Sequence, residues 1–168
     1  MTYQEKFLQK LAAAAPITMN GLYTSVMLAQ SALESGWGKS ELTRKYNNYF
    51  GIVADSSWKG DKVKFSNGFT YRAYNSVRES IQDYIKFLNE NSRYRKAGVF
   101  NAASPEDEAR ALQAAGYAGI NNTTYAGKII SIINTYDLKR YDTKKKSKIL
   151  LIVIPLLLLL FGTGIKLT

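Results

Sequence analysis

Cysteine and histidine are both missing from this 168-residue chain. Without cysteine there can be no disulfide, no thiolate nucleophile and no thiolate metal site. Without histidine, Ser–His and Cys–His nucleophile systems and histidine metal sites are excluded as well. Acid–base chemistry must therefore fall to carboxylates, lysine or tyrosine. Internal repeats are absent too, and the only low-complexity stretch is at the C-terminal end.

What is present can fill a core. Hydrophobic residues make up 46% of the chain and aromatic residues 12%, led by 12 tyrosines, which excludes disorder for most of the length. The net charge of +10 suggests nucleic acid at first sight. Its distribution argues otherwise. Residues 1–138 carry sixteen Lys and Arg against twelve Asp and Glu, whereas residues 139–168 carry seven against one. The excess is thus concentrated beside an apolar run, which fits a membrane-flanking cluster and no nucleic-acid partner.

That run, Ile149 to Ile165, reads ILLIVIPLLLLLFGTGI and contains no charge. At about 1.5 Å per residue it reaches roughly 25 Å, enough for a thin hydrocarbon core. The sequence therefore predicts a C-terminal transmembrane helix over 149–165, preceded by a basic juxtamembrane linker over 139–148. Lys139, Arg140, Lys144, Lys145, Lys146 and Lys148 form that flank, and only Lys166 follows the run. The expected partner is a lipid bilayer, with the chain held at the membrane by one helix. The first residues lack the basic start of a signal peptide, and LAAAAP is too short for its apolar region. The basic flank favours a cytoplasmic domain, which leaves the membrane side open if the substrate lies outside.

The remaining pattern, over 1–138, predicts a mainly α domain with one small β-hairpin. Tyr3 to Ala13 forms a first helix. Leu22 to Glu34 forms a second, with Val26, Ala29 and Leu33 on one face and Gly36 and Gly38 ending it. Ser76 with Glu79 is a capping box, opening a helix whose Val77, Ile81, Tyr84, Ile85 and Leu88 share a face. Ser104-Pro105 opens another, in capping register with Asp107 and closed by Gly116. Tyr125, Ile129, Ile132, Ile133 and Tyr136 mark the last. Lys62–Phe65 and Phe69–Tyr71 flank Ser66-Asn67-Gly68, a hairpin signal.

Glu34 is the first candidate for chemistry. A carboxyl at a helix C-terminus sits in the negative end of the helix field. That field, with burial beside Trp37, raises its pKa. A carboxyl kept protonated near neutral pH can protonate a glycosidic leaving oxygen. The alternative is a solvated glutamate at a helix end. Trp37 reads either as core or as the wall of a sugar site. Phe50 and Ile52 read as core, and Asn47 or Asn48 as a turn cap or a binder of sugar hydroxyls.

The run ALESGWGKSELTRKYNNYFGI, Ala32 to Ile52, resembles the signature of glycoside hydrolase family 73, the bacterial and phage N-acetylglucosaminidases. FTYRAYNSVRESIQDYIKFL, from Phe69 to Leu88, and LQAAGYAGINNTTYAGKII, from Leu112 to Ile130, resemble later family segments in the same order. The resemblance covers about Tyr3 to Leu138. It implies a lysozyme-like fold and hydrolysis of the β-1,4 bond after N-acetylglucosamine in peptidoglycan, without a cofactor or metal. It places Glu34 as general acid and Tyr117 in the cleft, bonding the glutamate or the sugar's acetamido group. It makes Trp37, Asn48 and Phe50 the cleft floor, and Tyr125 a second family tyrosine with a mainly structural part.

One departure bears on mechanism. Many family members carry a second acid on a longer hairpin, but Lys62 to Tyr71 contains neither Asp nor Glu. The nearest acids are Asp55 and Asp61. Either Asp61 acts as base across the cleft, or the substrate's acetamido oxygen attacks with Tyr117 orienting it. The alternatives to hydrolysis are a lytic transglycosylase, and an inactive, membrane-tethered peptidoglycan-binding module.

Overall fold

The computed structural model describes residues 1–142. The apolar run over 149–165 and most of its basic flank lie outside the described residues. Among the described residues no helix is long and apolar enough to cross a membrane.

Seven helices and a two-stranded hairpin make up the described fold: α1 (Tyr3–Ala14), α2 (Thr24–Glu34), α3 (Glu41–Tyr46), β1 (Lys62–Lys64), β2 (Thr70–Arg72), α4 (Val77–Glu90), α5 (Ser92–Lys96), α6 (Pro105–Ala114) and α7 (Tyr125–Thr135). Two 3-10 turns, Val99–Asn101 and Leu138–Tyr141, complete it. The mainly α architecture with one hairpin is as expected. The strands pair antiparallel, with Val63 opposite Tyr71, and an isolated bridge joins Val53 to Tyr71 on its other side.

The helices start where the caps direct. Ser104 accepts from Asp107 N ahead of α6, with Pro105 in the first turn. Ser76 accepts from Glu79 N, but the Glu79 carboxylate reaches back to Asn75 N at 2.8 Å instead of closing the box on Ser76. Thr2 and Glu5 form a complete capping box on α1. Gly116, left-handed at φ +72, follows the last turn of α6.

α2 is the centre of the molecule, packed against α1, α6 and α7. Ser25 through Ala32 are all buried, so this helix has no polar face. Leu33, expected on the buried face, is half-buried. The buried polar side chains of α2 are each bonded, as burial requires: Ser25 to Asp142, Gln30 to Tyr84 and Tyr125, Ser31 to the Leu28 carbonyl. No local side chain caps the α2 N-terminus. Carboxylates distant in sequence do so: Asp142 accepts from Ser25 N at 2.7 Å and Glu108 from Tyr23 N at 2.8 Å. Leu138 is fully buried and Lys139 pairs with Glu106 at 2.5 Å. The folded unit therefore continues through Asp142, taking in the first residues of the segment expected to be a linker.

Candidate active site

Glu34 is the last residue of α2, where the central helix runs out of the core, and its side chain is half-buried. The chain then turns through three left-handed residues, Gly36 at φ +56, Trp37 at +60 and Gly38 at +77. Left-handed backbone suits glycine and strains a bulky residue. A Cβ at Gly38 would lie 3.0 Å from the Phe7 ring. Trp37 is held in this conformation by its amide, which donates to Ala32 O at 2.7 Å, and by its indole. That ring packs 4.9 Å from Tyr136 and 5.9 Å from Phe7. The Gly-Trp-Gly signature thus secures the turn that ends the Glu34 helix, and the structure places Trp37 in core-edge packing.

A directed chain of hydrogen bonds ends on the carboxyl. Tyr84 donates to Gln30 Oε1. Gln30 Nε2 donates to Tyr125 Oη at 2.9 Å, and Tyr125 donates to Glu34 Oε1 at 2.7 Å. The resemblance put Tyr117 on the glutamate or on the sugar's acetamido group and gave Tyr125 a mainly structural part. It is Tyr125, opening α7 and facing the end of α2, that bonds Glu34, whereas the Tyr117 hydroxyl donates to the Phe50 carbonyl at 3.1 Å. The two phenol rings stack, 5.9 Å apart and 16° from parallel. Burial holds both hydroxyls well above the ordinary phenol range, helped for Tyr117 by Tyr125 and for Tyr125 by the Glu34 charge. Both remain protonated donors.

Burial also raises the Glu34 pKa, and the Tyr125 hydrogen bond partly opposes it. Glu34 Oε2 faces Gly51, where an added Cβ would come within 3.8 Å. One carboxyl oxygen is therefore fixed by Tyr125, and the other is the atom free to hold an acidic proton.

Asn48 is fully committed to the backbone. Its amide donates to Ile52 O and Arg72 O at 3.0 and 2.8 Å, and its oxygen accepts from Phe50 N and Ile52 N. This staple holds the 48–52 turn, with the Gly51 wall of the site, against β2. Phe50 is buried and stacks 4.2 Å from Tyr84. Asn48 and Phe50 thus support the Glu34 surroundings from beneath.

The two acids near the hairpin do not join Glu34. Asp55 accepts from Ser57 N and Oγ, bonds that hold its carboxyl below the usual range, and lies 3.5 Å from Arg72. Asp61 is exposed and lines a separate cleft whose walls do not include Glu34. Its main-chain carbonyl accepts from Trp58 Nε1 and Ala73 N, both at 2.8 Å. Among the described residues no group of acidic side chains could hold a metal ion.

A helical body with a small hairpin, carrying a half-buried carboxyl of raised pKa, fits a glycoside hydrolase catalytic domain. The chain belongs to the glucosaminidase family, described as mannosyl-glycoprotein endo-beta-N-acetylglucosaminidase, whose model matches residues 11–138. The match takes in all three segments on which the resemblance rested. The chain is 38% identical over 144 residues to peptidoglycan hydrolase FlgJ of Salmonella typhimurium, covering 76% of this chain and 44% of that protein. It is 34% identical over 155 residues to exo-glucosaminidase LytG of Bacillus subtilis, covering 83% of this chain and 54% of that protein. It thus spans about half the length of these curated relatives. Its fold is similar to the catalytic domain of the Listeria monocytogenes autolysin Auto (TM-score 0.69, 32% identity, 84% of this chain and 89% of that one). It is also similar to the glycoside hydrolase domain of Salmonella typhimurium FlgJ (TM-score 0.66, 36% identity, 82% and 89%). The lysozyme-like helical fold and the hydrolase class expected from the sequence are both met.

Proposed function

We propose that this domain hydrolyses the β-1,4 bond after N-acetylglucosamine in peptidoglycan, with Glu34 as general acid. The observation that carries the reading is the half-buried Glu34 carboxyl, raised by burial and held at one oxygen by Tyr125. The names of its relatives, a peptidoglycan hydrolase and an exo-glucosaminidase, supply the substrate class.

Glu34 Oε2 gives its proton to the leaving oxygen as the C1–O bond breaks. Among the described residues no second carboxylate is bonded into the Glu34 network, so the substrate's acetamido oxygen closes on C1 from the opposite face. Tyr117 supports this step. Its proton is engaged by the Phe50 carbonyl, so its lone pairs accept the acetamido N–H and turn the carbonyl oxygen inward. Water then opens the oxazolinium ring, losing a proton to the Glu34 carboxylate, and leaves a reducing N-acetylglucosamine end. The single carboxylate also favours a second reading, a lytic transglycosylase, in which a sugar hydroxyl takes the place of water.

Mass spectrometry of peptidoglycan digested by the full chain tests these readings. Reducing N-acetylglucosamine ends support the glucosaminidase. Reducing N-acetylmuramic acid ends would move the cut to the other bond, and 1,6-anhydro ends would establish the transglycosylase. Peptidoglycan bound without any cleavage would leave only the binding module.

The uncharged run over 149–165 and its basic flank support attachment of the domain to a lipid bilayer. Recovery of the full chain in the soluble fraction after high-speed centrifugation without detergent would refute this attachment.

A further inference from the structure

The chain of hydrogen bonds that reaches Glu34 begins deep in the core. Tyr84 in α4 and Gln30 in the middle of α2 are fully buried, and Tyr125 is buried. The Tyr84 ring is held independently of its hydroxyl, stacked on Phe50 at 4.2 Å and 19° from parallel. The hydroxyl therefore meets Gln30 from a set direction. Among the described residues the Gln30 side chain is its hydrogen-bond partner. A phenol proton sealed in the core needs an acceptor, and the Gln30 side chain has one to give, Oε1.

Proton counting along the chain then leaves one arrangement. With Oε1 taken by Tyr84, Gln30 presents Nε2 to Tyr125 and donates at 2.9 Å. The Tyr125 oxygen is the acceptor on that side, so its one proton goes to Glu34 Oε1 at 2.7 Å. An acidic proton on Oε1 would point at the phenol proton. It therefore sits on Oε2, the oxygen beside Gly51. Turning the Gln30 amide over reverses each step. Oε1 would take the Tyr125 proton, the phenol oxygen would accept from Glu34, and the acidic proton would move to the oxygen that faces the protein. In that arrangement Nε2 meets Tyr84, whose proton loses its acceptor. The Tyr84 hydroxyl thus disfavours the reversed chain.

The titratable groups around the chain are Tyr94 of α5, which bonds Arg93, then Tyr117, and Glu108 of α6 on the Tyr84 side. Burial raises Tyr84, Tyr94, Tyr117 and Tyr125 above the ordinary phenol range, so these phenols stay neutral while Glu34 titrates.

We propose that Gln30 and Tyr84 are positioning residues: Tyr84 fixes the orientation of the Gln30 amide, and the amide, acting through Tyr125, keeps the acidic proton of Glu34 on Oε2. This rests on the reading of Glu34 as general acid and adds the device that aims its proton.

The test is Tyr84→Phe in the full chain, which removes one hydroxyl and keeps the ring and its stack on Phe50. The amide is then free to turn over, and part of the enzyme holds its proton on Oε1. On the acid plateau kcat for peptidoglycan is expected to fall about threefold to tenfold, the population change one buried hydrogen bond can drive, with KM unchanged. Glu34, read by NMR of its labelled side-chain carboxyl, should titrate at higher pH than in wild type, because it loses a committed donor. Both effects should vanish when Tyr84→Phe is added to Tyr125→Phe, where no phenol links Gln30 to Glu34. A folded Tyr84→Phe protein whose Glu34 titration stays at the wild-type position would overturn the proposal and spare the general acid, leaving Tyr84 a packing residue. Equal effects in the wild-type and Tyr125→Phe backgrounds would also overturn it. A Glu34 titration that moves as expected beside an unchanged kcat would overturn it through the general-acid reading on which it rests.

Discussion

The Tyr125 hydroxyl donates to Glu34 Oε1 at 2.7 Å and accepts from the Gln30 amide at 2.9 Å. A phenol has one proton, and this geometry commits it to the glutamate. The bond favours the carboxylate form while burial favours the acid, and burial is the larger effect. Tyr125 thus limits the rise in the Glu34 pKa and leaves Oε2 as the proton-bearing atom.

Removing that bond should move the pH profile in a defined direction. In Tyr125→Phe the carboxylate loses a donor, so the Glu34 pKa rises further. A general acid works only when protonated, so the alkaline limb of the kcat/KM profile should shift to higher pH. The Gln30 amide also loses its acceptor inside the core, which should cost about 1–3 kcal/mol of stability. A pH–rate series on the folded variant checks this, and an alkaline limb that stays in place or moves down would contradict it.

Glu34 also makes folding depend on pH. Its folded pKa is raised above its ordinary value of 4.5. The native state therefore holds the proton more tightly than the unfolded chain. The stabilisation linked to that proton is fully present below the unfolded value and is lost as pH rises through the folded value. Glu34→Gln keeps an oxygen to accept from Tyr125 and removes the buried charge. Its melting temperature should exceed that of wild type at pH 7, and the gap should close at pH 4. Calorimetry at the two pH values measures it.

Asn48 should prove to be a stability residue. Asn48→Ala removes two donors and leaves the Phe50 and Ile52 amides without their acceptor. The expected loss is roughly 2–4 kcal/mol in denaturant unfolding. Well below its melting temperature the variant should keep a KM within about twofold of wild type. A large KM change with unaltered stability would place Asn48 on the substrate instead.

Tyr117 and Asp61 separate the two routes to the second half of the reaction. Tyr117→Phe should lower kcat about tenfold or more by losing the lone pairs that orient the acetamido group, whereas Asp61→Asn should change it less than threefold. Near-complete loss in Asp61→Asn beside a minor loss in Tyr117→Phe would restore Asp61 as the base.

The helices with local signals were legible in sequence. Ser76, Ser104 and Gly116 mark boundaries through caps that operate within a few residues, and Asn67-Gly68 marks the hairpin. The short helices α3 and α5 have no strong periodicity and were missed. α2 was found, but not its surroundings on all sides: a central helix has no polar stripe, and its caps come from Glu108 and Asp142, over eighty residues away. The site shows the same division. Glu34 stands out because it sits at a helix end before a Gly-Trp-Gly turn. The parts of the two tyrosines depend on where α7 begins relative to the end of α2, which no spacing reveals.

On the proposed reading, Glu34 delivers the proton that breaks the glycosidic bond. The most direct measurement is the rate of release of soluble muropeptides from purified peptidoglycan by full-length wild type and Glu34→Gln, with both shown to be folded by their melting curves. A fall of about a hundredfold or more is expected in the variant, with folding intact and peptidoglycan binding retained. Release within tenfold of wild type by a folded Glu34→Gln protein would contradict it.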